Sequence, residues 1–152
     1  MKATDKKVQK TYTDHGFGFP VKLLNVPMIK VRGKWTPHVN YNDLTEALLI
    51  ALCEKPVKLT GHEIRFVRLH FQLTLKQFAK RFAVSHAAVI KWEKTGDDPT
   101  NMAWTTEKDL RLFILSQMNS RPVELVNLYN DLEELKPSQK RIVKVDLEEI
   151  AA

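Results

Sequence analysis

Residues 74–93 read Thr-Leu-Lys-Gln-Phe-Ala-Lys-Arg-Phe-Ala-Val-Ser-His-Ala-Ala-Val-Ile-Lys-Trp-Glu, and their spacing decides the fold. Thr74 followed by Gln77 is a capping box that opens one helix. Ser85 is an N-cap that opens a second, which Gly96 stops. Phe78, Ala79 and Phe82 share the inner face of the first helix, Val89 and Trp92 that of the second, and Val84 fills the corner. Two short helices that cross steeply need a small residue where their backbones approach, and Ala79 supplies it. His86, Ala87, Ile90, Lys91 and Lys94 are then left facing outward.

The flanking segments extend this pair. Thr60-Gly-His-Glu63 is another capping box and opens a helix through Leu73. Ile64, Val67 and Phe71 form one apolar row on it, and Phe66, Leu69 and Leu73 another, so it belongs at the centre of a core. Beyond a loop at 97–101, a helix begins at Thr105 or Thr106 and runs to Met118 with Leu110, Phe113 and Ile114 inward. Pro122 opens one more, to Leu135, with Val126, Tyr129 and Leu132 on one side. Lys136-Pro137-Ser138 breaks it, and Arg141 to Leu147 alternates as a short terminal strand or extended arm.

Before residue 60 the texture differs. Residues 1–16 are polar, Lys-rich and without periodicity, which reads as a flexible basic arm. Val21, Leu23, Val26, Met28, Ile29 and Val31 are strand formers, and Asn25–Pro27 and Arg32-Gly33 are turn signals. Two or three short strands result, too few to stand alone. Leu44, Ala47, Leu48, Ala51 and Leu52 then follow the spacing of one helical face, with Asn42 or Asp43 as cap and Lys55-Pro56 as stop. Leu49 and Ile50 widen that face.

The expected class is therefore α+β, mainly α. A small N-terminal hairpin or meander module precedes a five-helix bundle with a C-terminal strand or arm. The expected division is an arm at 1–16, a β-plus-helix module at 17–59, a helix-turn-helix domain at 60–118 and a C-terminal helix and strand at 119–152, assigned to dimerisation.

Charge separates along the chain. The 152 residues carry net +6, yet residues 1–59 carry +5, residues 60–94 another +5 and residues 95–152 carry −4. Positive charge concentrated around an outward-facing helix favours an anionic partner, nucleic acid first. A helix so presented fits the major groove of double-stranded DNA. Cys53 is the only cysteine, which excludes an intramolecular disulfide, and it reads as a small buried hydrophobe. No apolar run reaches membrane-span length and the N-terminus lacks a signal-peptide stretch, so a cytoplasmic protein, nucleoid-associated when bound to DNA, is expected. His15, His38, His62, His70 and His86 are scattered, and no P-loop or GxGxxG occurs. Neither a metal, a cofactor nor an enzymatic activity is expected. Glu133-Glu134 and Glu148-Glu149 read as solvated acidic surface.

The segment ending Val-Ser-His-Ala-Ala-Val-Ile-Lys-Trp-Glu (residues 84–93) resembles the helix-turn-helix of lambda-repressor/Cro-type (XRE-like) transcriptional regulators. That family usually has glutamine where this chain has Leu75 and a turn glycine where it has Ala83. The resemblance implies a sequence-specific regulator, a repressor by function, binding as a homodimer. It implies base reading by Ser85, His86, Ala87 and Lys91, with Lys76, Gln77, Lys80 and Lys94 on phosphates. Imidazole can donate to guanine, alanine can touch a thymine methyl, and Lys91 can reach guanine or phosphate. The order of elements, with Leu-Thr-Gly-His-Glu-Ile-Arg-Phe-Val-Arg-Leu (59–69) leading into the reading helices, also resembles MqsA-type antitoxins without their paired zinc cysteines. That resemblance implies a partner toxin held by the N-terminal module, with autorepression. Helix 43–54, helix 122–135 and strand 141–147 are the candidate dimer surfaces.

Overall fold

The computed structural model describes residues 5–118, 122–135 and 141–150. The expected chain break at 136–138 and the first residues of the expected arm lie outside them. The chain forms two compact units, Met1–Ala51 with Ile142–Ala152, and Leu52–Arg141. The first boundary falls inside a helix and not at residue 59. No described helix is long and apolar enough to cross a membrane.

The first unit is built on β2 (Val21–Val31). β1 (Lys6–Asp14) lies antiparallel along one edge of it. The other edge is shared: β4 (Val143–Asp146) pairs in parallel with Val21–Leu24, and β3 (Lys34–Pro37) pairs antiparallel with Met28–Val31. Asn25–Pro27, expected as a turn, is where β2 changes partner. Asn25 takes a positive φ of 54° and donates from Nδ2 to Asp146 Oδ1 at 2.9 Å. Pro27 has no N–H to offer a ladder, and its carbonyl accepts from His38 N at 2.8 Å. The positive φ also shifts the alternation: Val21 and Leu23 point inward, then Val26 and Met28.

The arm expected at 1–16 is a strand from Lys6 onward. It is an edge strand whose inward positions, Gln9, Tyr12 and Asp14, are only half-buried and shift phase opposite Asn25. Its lysines suit an exposed edge. The Arg32-Gly33 turn is present, with φ of 51° and 78° between the paired Val31 and Lys34. This is the geometry of a two-residue hairpin turn with both residues left-handed. α1 (Tyr41–Glu54) follows, capped by Asn40, whose Oδ1 accepts from Asp43 N at 3.1 Å, rather than by Asn42 or Asp43. Leu44, Leu48 and Leu49 are buried and Ile50 is exposed. The C-terminal strand pairs along one edge with β2 of its own chain, and a short α7 (Leu147–Ile150) follows it.

The second unit holds α2 (Gly61–His70), α3 (Leu75–Arg81), α4 (His86–Glu93), α5 (Trp104–Ser116) and α6 (Pro122–Glu134). α2 stops at His70, short of Leu73, because Gln72 turns left-handed at φ 56°. α5 starts at Trp104 without a side-chain cap. On α6 the inward residues are Leu128 and Leu132, whereas Val126 and Tyr129, expected beside Leu132, are exposed. Glu133 is not free surface: Lys108 on α5 donates to it at 2.8 Å and holds its carboxyl below the ordinary range.

A buried polar cluster ties the start of this unit to α5. Arg111 is fully buried and pairs with Glu107 one turn earlier at 2.7 Å. Its guanidinium also donates to the carbonyls of Cys53, Lys55 and Val57. Glu107 Oε1 accepts from Leu59 N at 3.2 Å, and burial pushes its carboxyl up against the pull of Arg111. Lys55 Nζ reaches both oxygens of Glu63, at 2.7 and 2.9 Å.

Candidate nucleic-acid interface

The three caps expected from the sequence set the ends of α2, α3 and α4. Thr60 and Thr74 each accept from the third residue of their helix, while Glu63 and Gln77 reach back to the cap amides. Ser85 Oγ accepts from Ala88 N at 3.1 Å. Each such cap is worth about 1 kcal/mol, so the start of each helix is locally fixed.

The turn between α3 and α4 closes by two hydrogen bonds. Ala83 N donates to Lys80 O at 3.3 Å and Val84 N to Ala79 O at 3.0 Å. This pairing is a Schellman motif, with Ala83 at the left-handed position, φ 55°. α2 ends the same way: Gln72 N donates to Leu69 O and Leu73 N to Arg68 O. The chain thus bends twice through left-handed residues that are not glycine.

Phe78, Ala79, Phe82, Val89 and Trp92 are buried as expected, and Val84 is half-buried at the corner. Phe78 and Phe82 lie with ring centres 4.8 Å apart, and Phe82 meets Phe113 of α5 edge-on at 5.6 Å. Arg81 covers Phe82 and Phe113 from outside while donating to Asp109 at 3.2 Å.

Two contacts that the sequence reading missed hold α4 against α2. Arg68 forms a two-pronged ion pair with Glu93, at 2.7 and 3.0 Å, and also donates to Leu73 O. At Gly61 the backbones come so close that a Cβ would sit 2.3 Å from Trp92 O and 2.9 Å from Glu93 O. The Trp-Glu ending of the motif was the available signal for the first. The glycine inside the capping box was the signal for the second.

The opposite face of α4 is open. Ser85, His86, Ala87 and Lys91 are exposed, and Ala88 and Ile90 are half-buried beside them. Lys76, Gln77, Lys80 and Lys94 are exposed too. Gln77 is committed to its cap through Oε1, so its NH2 is the end left to face outward. Across α3 and α4 the cations are Lys76, Lys80, Arg81, Lys91 and Lys94, and the single acid, Glu93, is already neutralised by Arg68. Such a surface can neutralise phosphates and present an imidazole, a methyl and an ammonium to base edges.

Cys53 lies away from this face, buried, with Sγ 3.3 Å from Arg111 O, and burial pushes its thiol up to about 12. His62 bonds Asp97 at 2.9 Å. Among the described residues no group of three or more His, Cys, Asp or Glu is arranged to hold a metal. Comparison of the chain with protein-family models, with curated proteins and with solved structures found no match.

Proposed function

We propose that this chain is a sequence-specific DNA-binding regulator of the lambda-repressor/Cro type, with α4 in the major groove. The observation that carries this is the sidedness of α4. Its inner residues Val89 and Trp92 are buried and its end is clamped by Arg68 and Gly61, while Ser85, His86, Ala87 and Lys91 stand exposed. A helix held rigidly from behind loses little freedom on binding, so its side chains can discriminate bases.

In this reading His86 and Ala87 meet base edges first. Lys91 lies a turn later, and Lys76, Lys80 and Lys94 neutralise phosphates. One such helix spans half a site, so the binding form is a homodimer on a palindrome. α6 supports that: Val126 and Tyr129 share a face and are 56% and 50% exposed.

The test is selection of bound sequences from a randomised duplex library at near-physiological salt. A recovered palindrome, lost on His86→Ala with Lys91→Ala, is the expected result. Sequence preference that survives this double substitution would remove α4 from base reading.

A further inference from the structure

The β2–β3 hairpin at one end of the four-stranded sheet carries a second concentration of charge. Between residues 5 and 37 there are seven Lys or Arg and two acids, Asp5, whose backbone carbonyl accepts from Lys30 N at 3.2 Å, and Asp14. Asp14 is occupied locally, accepting from Gly16 N at 2.6 Å. Among the described residues none of the seven cations is in an ion pair.

Five of them gather at the hairpin end. Lys30 pairs across the ladder with Trp35, and Val31 with Lys34, so these two pairs alternate between the faces of the ribbon. Lys7, opposite Met28, shares a face with Lys30 and Trp35, while Lys6, opposite Ile29, shares the other with Lys34. Arg32 sits at the tip. All of Val31–Thr36 is exposed. Lys7 Nζ lies 4.4 Å from the centre of the Trp35 ring, and Lys30 Nζ lies 6.0 Å from it. The indole therefore braces ammonium groups rather than offering a bare face for a base to stack on.

A narrow ribbon with cations on both faces and at its tip matches a groove walled by two rows of phosphates. We infer that the β2–β3 hairpin is a second DNA-contacting element, gripping the phosphate backbone of duplex DNA independently of sequence. This rests on the DNA-binding function proposed for α4, and it gives the N-terminal unit a role in the same complex. Lys30, Arg32 and Lys34 each neutralise a phosphate, and Lys6 and Lys7 reinforce the field.

The experiment compares three full-length proteins on random-sequence duplex across a salt series, for the slope, and in selection from the randomised duplex library, for base preference. They are the wild type, a hairpin variant (Lys30→Gln, Arg32→Asn, Lys34→Gln) and an α4 variant (His86→Ala, Lys91→Ala). The Arg32→Asn change keeps the turn, because asparagine followed by glycine favours this left-handed pair. Three lost phosphate contacts should flatten the log–log salt slope by about 2 to 3 and weaken binding by at least about tenfold, with base preference intact. An unchanged slope in the folded hairpin variant overturns the proposal. If the hairpin variant loses slope while the α4 variant keeps full base preference, the hairpin assignment stands and that of α4 falls. Wild-type protein that shows no salt-dependent duplex binding removes both. A parallel titration with phosphatidylserine–phosphatidylcholine vesicles completes the test: hairpin-dependent binding to vesicles with duplex binding unaltered would identify a lipid surface instead and overturn the proposal.

Discussion

Arg68 of α2 and Glu93 of α4 meet through two hydrogen bonds, at 2.7 and 3.0 Å, with about a tenth of each side chain exposed. The pair joins the last turn of α2 to the last turn of the proposed reading helix. Arg68 also holds the carbonyl of Leu73, in the bend that leads into α3. One guanidinium therefore fixes both the bend and the angle at which α4 is carried.

Removing one partner of a pair so little exposed leaves a charge poorly solvated, at about 2 to 3 kcal/mol, somewhat below the fully buried case. Arg68→Ala should exceed Glu93→Gln, because it also frees the Leu73 carbonyl. Urea denaturation of both singles and the double should give a coupling energy of about 1 to 2 kcal/mol. Additive effects would mean that the pair does not act as a clamp.

Gly61→Ala attacks the same junction sterically. Its Cβ would fall 2.3 Å from Trp92 O, a backbone atom that no rotamer change can move. The φ at Gly61 is helical, so alanine carries no conformational penalty of its own and the effect is purely contact. A loss of about 3 kcal/mol or more is expected, with amide chemical shifts of α2 and α4 changing together. A stability within about 0.5 kcal/mol of wild type would show that the backbones can part freely.

The left-handed residues offer the opposite sign. Ala83 at φ 55° and Gln72 at φ 56° stand where glycine is free of the Cβ clash. Ala83→Gly and Gln72→Gly should each stabilise by roughly 0.5 to 1 kcal/mol, once the extra freedom of unfolded glycine is subtracted. Thermal melts of each variant decide it, and a lowered midpoint would mean that the turn holds these side chains by contacts worth more than the strain.

These elements divide by how local their causes are. The caps at Thr60, Thr74 and Ser85, the inner face of α3 and α4 and the Arg32-Gly33 turn are written in a few adjacent residues, and all were legible in the sequence. β1 was not, because an edge strand with one solvated face needs no apolar alternation, and its phase changes opposite Asn25. The parallel pairing of β4 with β2 joins residues more than a hundred apart and leaves no local mark. The role of Arg111 was hidden for the same reason: on α5 it looks like an ordinary surface cation, and only the folded chain brings three carbonyls to it.

Arg111 should consequently be among the least replaceable residues of the second unit. Its guanidinium satisfies the carbonyls of Cys53, Lys55 and Val57 and the carboxylate of Glu107, all inside the core. Arg111→Met keeps most of the volume but strands these acceptors, so a loss of about 3 to 5 kcal/mol is expected. Arg111→Met combined with Glu107→Gln should recover part of it, since the unpaired charge is then gone. Chemical denaturation of both variants measures this, and no recovery in the double would place the loss in the carbonyl contacts alone.

Cys53 reports on the same cluster through its reactivity. Burial raises its thiol from 9.0 to about 12. Near pH 8 an ordinary thiol is about a tenth thiolate, whereas this one is ionised in about one molecule in ten thousand, and the thiolate is the reactive form. Labelling by a thiol reagent in the native protein should therefore be slow by about three orders of magnitude or more, and accelerate in urea in step with unfolding. The proton balance gives a second readout. An unfolded thiol releases its proton near 9, while the folded one keeps it to about 12. The folded state thus holds the extra proton in between, and stability falls as pH rises through that window. Cys53→Ala should remove that part of the alkaline decline. Rapid native labelling, or an alkaline profile identical in Cys53→Ala, would show that the Arg111 cluster opens far more readily than its packing implies.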